Sequence, residues 1–107
     1  MRNINDLMRK AQELKKKMEE IEAELDALRV VGEAGGGAVK ATVSGKLDVI
    51  SVDISEDVID KEDKGMLEDL IVAAIREAQD KAKRIAEEKF AEIGGGLGGF
   101  PGLGFPN

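Results

Sequence analysis

Apolar residues recur alternately three and four positions apart through the first quarter of the chain: Ile4, Leu7, Ala11, Leu14, Met18, Ile21, Leu25 and Leu28. That spacing predicts an amphipathic helix over residues 4–29. Its seam is a heptad in which Ile4, Ala11, Met18 and Leu25 take position a while Leu7, Leu14, Ile21 and Leu28 take position d. Asn3 stands where an N-cap belongs, with Asp6 three residues on reaching back to the free amides. Past Arg29, Val30, Val31 and Gly32 disfavour further helix. The period then changes to two. Val39, Ala41 and Val43 alternate with Lys40, Thr42 and Ser44, and Ile50, Val52 and Ile54 alternate with Val49, Ser51 and Asp53, the signature of half-buried strands. Gly35, Gly36 and Gly37 turn a short strand over residues 30–34 into a second over 38–44. Ser44, Gly45 and Lys46 lead tightly into a third over 47–54, completing a three-stranded antiparallel meander. A second helix is predicted over residues 61–92, capped by Asp60 or Asp63. Its apolar side holds Met66, Leu67, Leu70, Ile71, Ala74, Ile75, Ala78, Ala82, Ile85, Ala86 and Phe90, with the small Ala residues permitting close packing. Residues 94–107 are Gly-rich and carry Leu97, Phe100, Leu103 and Phe105; they read as a flexible tail.

The expected fold is therefore α+β, a helix, a β-meander and a helix in two layers, forming one domain over residues 1–93. Element lengths add a constraint. A helix of about 25 residues is roughly 38 Å long, whereas strands of about 7 residues cover roughly 23 Å. The first helix must overhang the sheet, yet its apolar seam runs the full length. The overhanging part needs a second apolar surface, from the other helix or from a partner subunit. With 3% aromatic residues in 107 and neither Trp nor Tyr, the core is aliphatic and modest, which also points to a homodimer.

The absence of Cys and His removes the usual ligands of zinc, iron–sulfur and haem centres, thiol nucleophiles, disulfides and the side chain that titrates near neutral pH. Residues 1–5 lead directly into the charged helix without an apolar leader. The longest aliphatic run, Leu70, Ile71, Val72, Ala73, Ala74 and Ile75, is too short to span a bilayer. A soluble cytoplasmic protein with no membrane partner is expected. The glycine cluster is not followed by the Gly-Lys-Ser/Thr of a phosphate loop. Carboxylates at Asp57, Asp60 and Asp63 lack EF-hand spacing, and Ser44, Ser51 and Ser55 have no visible base. The sequence presents no catalytic constellation, no cofactor motif and no small-molecule site.

A net charge of −6 and a pI near 4.7 argue, as totals, against nucleic acid. Their distribution argues otherwise. On the heptad, Arg2, Arg9 and Lys16 occupy f, Lys10 and Lys17 occupy g, and Lys15 occupies e, whereas Asp6, Glu13, Glu19 and Glu20 fall at b and c. Residues 1–18 hold six basic and two acidic side chains, a local +4. Immediately after, Glu19, Glu20, Glu22, Glu24 and Asp26 face only Arg29. A basic tip on an acidic body suits phosphate binding. The same pattern is met by a solvated helix supported by the four-residue pairs Asp6 with Lys10, Arg9 with Glu13 and Glu13 with Lys17. On the second helix, Lys81, Lys83 and Arg84 are secondary phosphate candidates interleaved with Glu77, Asp80, Glu87 and Glu88. Phe90 is the sole aromatic residue of the folded body, so base-stacking platforms for single strands or RNA do not suit it. Duplex DNA held through its phosphates does.

The segment Asp6-Leu7-Met8-Arg9-Lys10-Ala11-Gln12 resembles the opening of the YbaB/EbfC family of bacterial nucleoid-associated proteins. Residues 31–45, Val-Gly-Glu-Ala-Gly-Gly-Gly-Ala-Val-Lys-Ala-Thr-Val-Ser-Gly, resemble its central signature. Residues 67–74, Leu-Glu-Asp-Leu-Ile-Val-Ala-Ala, followed by Ala78, resemble its second helix, and the Gly-Leu-Gly-Gly-Phe-Pro-Gly tail is similar as well. The resemblance implies a dimer joined through the sheet region, with helices projecting like tweezers that hold duplex DNA in the nucleoid. It implies a role in chromosome organisation and, in some members, in transcription. Carried onto this chain, the DNA contacts fall on Arg9, Lys10, Lys16 and Lys17, with Lys81 and Arg84 behind them. Arg76 departs from the pattern, since relatives often carry Asn there. The rival reading from another class is a protein-interaction or chaperone-like adaptor that uses the heptad helix and the apolar tail.

Overall fold

The computed structural model describes residues 3–96. The Asn3 side chain accepts the Asn5 N–H at 3.1 Å and opens helix α1, Ile4–Ala27. The helix ends two residues before the expected limit of 29. Leu28 is already extended, and Arg29 is the first residue of strand β1, Arg29–Ala34. Pairing of Arg29 with Ser44 outweighs another turn of helix. The Arg29 guanidinium also donates to the Asp26 and Leu28 carbonyls at 2.8 and 2.9 Å, supplying partners for groups the terminating helix leaves free.

Strands β1, β2 (Val39–Ser44) and β3 (Val49–Ile54) form an antiparallel sheet in the order β1-β2-β3. The turn between β1 and β2 places Gly35, Gly36 and Gly37 at φ of 65°, 69° and 93°, a run that side chains resist. The second connection is longer than expected, so β3 starts at Val49 and not at residue 47. The buried Ser44 hydroxyl accepts the Lys46 and Asp48 N–H groups at 3.2 Å each, and Leu47 takes φ of 75°. A register shift follows: Thr42 pairs with Ser51 but Val43 pairs with Val49, which leaves Ile50 as the extra residue of a bulge. The strict alternation read from the sequence breaks at that position.

Two short 3₁₀ turns, Glu56–Val58 and Lys61–Asp63, precede helix α2, Lys64–Gly96. Asp60 caps the second turn by accepting the Glu62 N–H at 2.9 Å, and Asp63 accepts the Met66 N–H at 3.3 Å, so both expected caps are used. The helix begins three residues later than expected. It also continues through Gly94, Gly95 and Gly96, beyond the limit of 92 that the periodicity predicts. Residues 97–107, with Leu97, Phe100, Leu103 and Phe105, lie outside the described residues, as do residues 1 and 2.

The core lies between the sheet and α2. Val39, Ala41, Val43, Ala74, Ala78 and Ala82 are fully buried, joined by Val30. Ala74, Ala78 and Ala82 form a smooth stripe four residues apart that lets α2 settle onto β1. At the contact, a Cβ on Gly32 would collide with the Ala78 amide and the Ala74 carbonyl and come within 2.8 Å of the Ala78 Cα. A second close approach fixes α1. The Gly45 N–H donates to the Leu25 carbonyl at 2.8 Å, and a Cβ there would come within 2.7 Å of that oxygen. Lys46 pairs with Asp26 at 3.3 Å, and Gln79 donates to the Leu47 carbonyl at 3.1 Å, so this turn is tied to both helices.

Of α1, Ile21 and Leu25 are buried. Ile4, Leu7, Met8 and Met18 are exposed, and Leu14 is half-buried. Contacts advance along α2 from Ala82, packed near Leu28 and Val30, to Lys89, which meets Glu24 at 3.0 Å. The two helices are thus antiparallel, and α1 overhangs the sheet as the element lengths required. The molecule is 74 Å long and 25 Å wide. No helix among the described residues is long and apolar enough to cross a membrane.

The packing predicts opposite outcomes for three glycines. Gly32→Ala is expected to lower unfolding free energy by about 2–3 kcal/mol, because backbone has to move aside. Gly36→Ala meets no atom within 4 Å and is expected to cost about 1–2 kcal/mol through its left-handed backbone alone. Gly65→Ala, in the first turn of α2 with open space around it, is expected to stabilise by about 0.4–1 kcal/mol. Urea midpoints of the three variants check the ranking.

Candidate nucleic-acid interface

The overhang of α1 carries Lys10, Lys15, Lys16 and Lys17, all exposed. Among the described residues no carboxylate lies within ion-pair distance of any of the four. None of the four-residue pairs read from the sequence (Asp6 with Lys10, Arg9 with Glu13, Glu13 with Lys17) is closed. The one ion pair on the tip joins Arg9 to Asp6 at 3.2 Å, three residues apart and exposed on both sides. Asp6 therefore faces Arg9 and not the helix amides, to which it was expected to reach. Such an exposed pair is worth roughly 0–1 kcal/mol, and a phosphate can displace it. Two carboxylates nearer the body are engaged with body cations, Glu24 with Lys89 and Asp26 with Lys46, while Glu19, Glu20 and Glu22 are exposed and close no ion pair among the described residues. The excess of cations is confined to the part of α1 before Glu19.

Arg9 and Lys16 at f, with Lys10 and Lys17 at g, share one side of α1. Lys15, at e and outside the set of expected contacts, is exposed beside Ala11, Leu14 and Met18. Its e position flanking the seam was the available signal. The candidates on α2 are elsewhere. Lys89 meets Glu24, Arg84 precedes Lys89 by five residues and Lys16 precedes Glu24 by eight on an antiparallel neighbour. Arg84 and Lys16 are therefore roughly 20 Å apart along the helix axes. Lys83 and Arg84 are exposed.

Lys81 has a different environment. Its ammonium meets the Glu77 carboxylate at 3.0 Å and the Val31 carbonyl at 3.2 Å, while the other end of the arrangement brings the Glu33 N–H to Glu77 at 3.2 Å. Glu77 and Lys81, one helical turn apart, thus cover the outer hydrogen-bonding edge of β1. The sequence shows an ordinary Glu–Lys pair at i, i+4; only the close seating of α2 on Gly32 brings both side chains to the strand. The Lys81 bond, then the Glu33 amide, hold the Glu77 carboxyl below its ordinary value of 4.5. In the acidic loop, Ser55 and Asp60 likewise turn onto backbone amides, those of Asp57 and Glu62.

A carboxyl with a depressed folded-state pKa contributes stability that is complete above its unfolded value and is lost as pH falls through the folded one. The urea midpoint of Glu77→Gln is accordingly expected to lie below that of the parent at neutral pH. The gap should shrink as pH is lowered from 4.5, and a gap independent of pH would contradict the arrangement.

Residues 1–97 match the model of the YbaB/EbfC DNA-binding family. A nucleoid-associated protein of Acetivibrio thermocellus is 43% identical over 101 residues, covering 94% of this chain and 89% of that protein. One from Lachnoclostridium phytofermentans is 48% identical over 102 residues, covering 95% and 86%. One from Chlorobium phaeobacteroides is 42% identical over 97 residues, covering 91% and 86%. Among solved structures, an uncharacterized protein from Helicobacter pylori shares the fold with a TM-score of 0.66 at 16% identity, covering 91% of this chain and 98% of that one.

Proposed function

The chain belongs to the YbaB/EbfC DNA-binding family, and from that premise we propose that it is a nucleoid-associated protein whose homodimer grips duplex DNA between paired basic helix tips. The observation that carries this reading is the set of exposed lysines on the α1 overhang, free of carboxylate partners among the described residues. Lys10, Lys16 and Lys17, with Arg9 released from Asp6, meet phosphates. Lys15 extends the same positive surface, and Arg84 is a secondary contact outside the tip. Lys81, held by Glu77 and the β1 backbone, contributes less. The acidic body repels the duplex, so the tip sets both the place and the orientation of binding. Contacts of this kind read phosphate spacing and not base identity, in keeping with a role in organising the chromosome within the nucleoid; an influence on transcription follows from occupancy.

Two features support pairing through the sheet region. The β1 edge is covered by Glu77 and Lys81, whereas β3, the opposite edge, carries no such cover among the described residues. Val49 and Ile50 on β3 and Leu47 just before it are each more than a third exposed. A partner joined there leaves both α1 overhangs free to project.

About four to six phosphates neutralised per dimer give a log–log salt slope of roughly −4 to −5. Binding of the parent to duplex DNA, titrated with salt, is expected to show that slope. Lys16→Glu/Lys17→Glu should weaken binding by at least tenfold and flatten the dependence, while Lys81→Ala changes it far less. Equal affinity of the parent and the double variant would remove this helix from the interface. Sedimentation of the free protein is expected to give twice the chain mass.

A further inference from the structure

The apolar seam of α1 is half covered. In its later part Ile21 and Leu25 are buried against the body, and α2 runs antiparallel beside them, with Lys89 against Glu24. Carried at equal rise along both helices from that contact, the end of α2 at Gly96 comes level with Lys17. Before that level the seam is open: Ile4, Leu7 and Met8 are exposed, as is Ala11, and Leu14 is half-buried. Among the described residues, the layer that α2 forms on α1 thus stops at Lys17. It leaves a slot one helix thick and, from Lys17 to Ile4, roughly 20 Å long.

We infer that the α1 overhang of a second copy fills this slot, antiparallel and related by a two-fold axis, so that two molecules join tip to tip. The heptad decides the register. In antiparallel pairing a packs on d of the other helix, while e meets e and g meets g along the flanks. One register covers the open seam and keeps the incoming helix clear of Gly96: Ile4 lies on Leu14 and Leu7 on Ala11, each twice by symmetry, with Met8 on Met8 at one flank. Asn3, which opens the helix, then stands level with Lys15 of the other copy, just short of the end of its α2. An overlap seven residues longer would drive the first turn of each helix into α2 of the other. Charge opposes the contact and so controls it. The flanking positions of the overhang are Met8, Lys10, Lys15 and Lys17, with no carboxylate at e or g before Glu22, and the register sets Lys10 against Lys10. Screening of these lysines promotes joining, the opposite of the salt response of phosphate contacts. The strip at a and d faces away from f, so the inference does not rest on the DNA reading.

Sedimentation of the full chain over a dilution series tests this at low and high salt. Association beyond the species present at the highest dilution is expected to strengthen on the order of tenfold as salt is raised. Lys10→Gln is expected to give a similar gain at low salt while weakening duplex binding. Leu7→Gln/Met8→Gln, at exposed positions where Gln keeps helix propensity, is expected to abolish the gain. The chain contains no cysteine, so Met8→Cys places a single thiol on the two-fold axis. A short bis-maleimide is expected to join two copies there but not through Glu13→Cys, at c on the far side of the helix. A mass that responds neither to salt nor to Lys10→Gln leaves the strip to a different protein and overturns the inference, as does equal cross-linking at the two positions. Salt-driven association in a chain that fails to bind duplex would sustain this inference and sink the DNA reading alone.

Discussion

Everything in this structure is referred to one contact, the seating of the Ala74, Ala78 and Ala82 stripe of α2 on β1 at Gly32. No side chain separates helix from strand at that point. This nearness gives a chain with few large buried side chains a closed core, because dispersion contacts between backbone and methyl groups replace bulky interdigitation. The same nearness lets two ordinary surface residues, Glu77 and Lys81, reach the backbone of an edge strand that would otherwise be a template for unwanted pairing.

The position of α2 in turn sets the position of α1. The turn after β2 is held on one side by Gln79 of α2 and on the other by Leu25 and Asp26 of α1. The root of α1 is fixed, and the remainder extends beyond the sheet as a free helix. Of the acidic groups near that root, Glu24 and Asp26 are matched with Lys89 and Lys46, while lysines nearer the end are left without partners among the described residues. Charge separation along one helix thus becomes separation in space, with an anionic body and a cationic extremity. A protein that is acidic as a whole thereby presents positive charge at one place.

The overhang has two sides with different tasks. Residues at f and g present charge, and residues at a and d present an apolar strip. A solitary helix of this length is marginal in water, so the buried turns at Ile21 and Leu25 anchor the element that carries the charge.

The order of elements, the heptad and the overhang were legible in the sequence because they follow from periodicity and rise per residue, which are local properties. The basic tip was legible for the same reason: Arg9, Lys10, Lys16 and Lys17 lie within nine consecutive residues, and a helix converts that spacing directly into a surface. What depends on distant residues was not legible. The engagement of Glu77 and Lys81 with the β1 backbone joins residues 44 and 50 positions apart, while the bulge at Ile50 is decided by how the β2–β3 hairpin closes over the Ser44 turn. Lys81 makes the distinction plain. In sequence it is one more helix-surface cation; its engagement with Val31, fifty residues away, was decided only when packing brought α2 within reach of the strand.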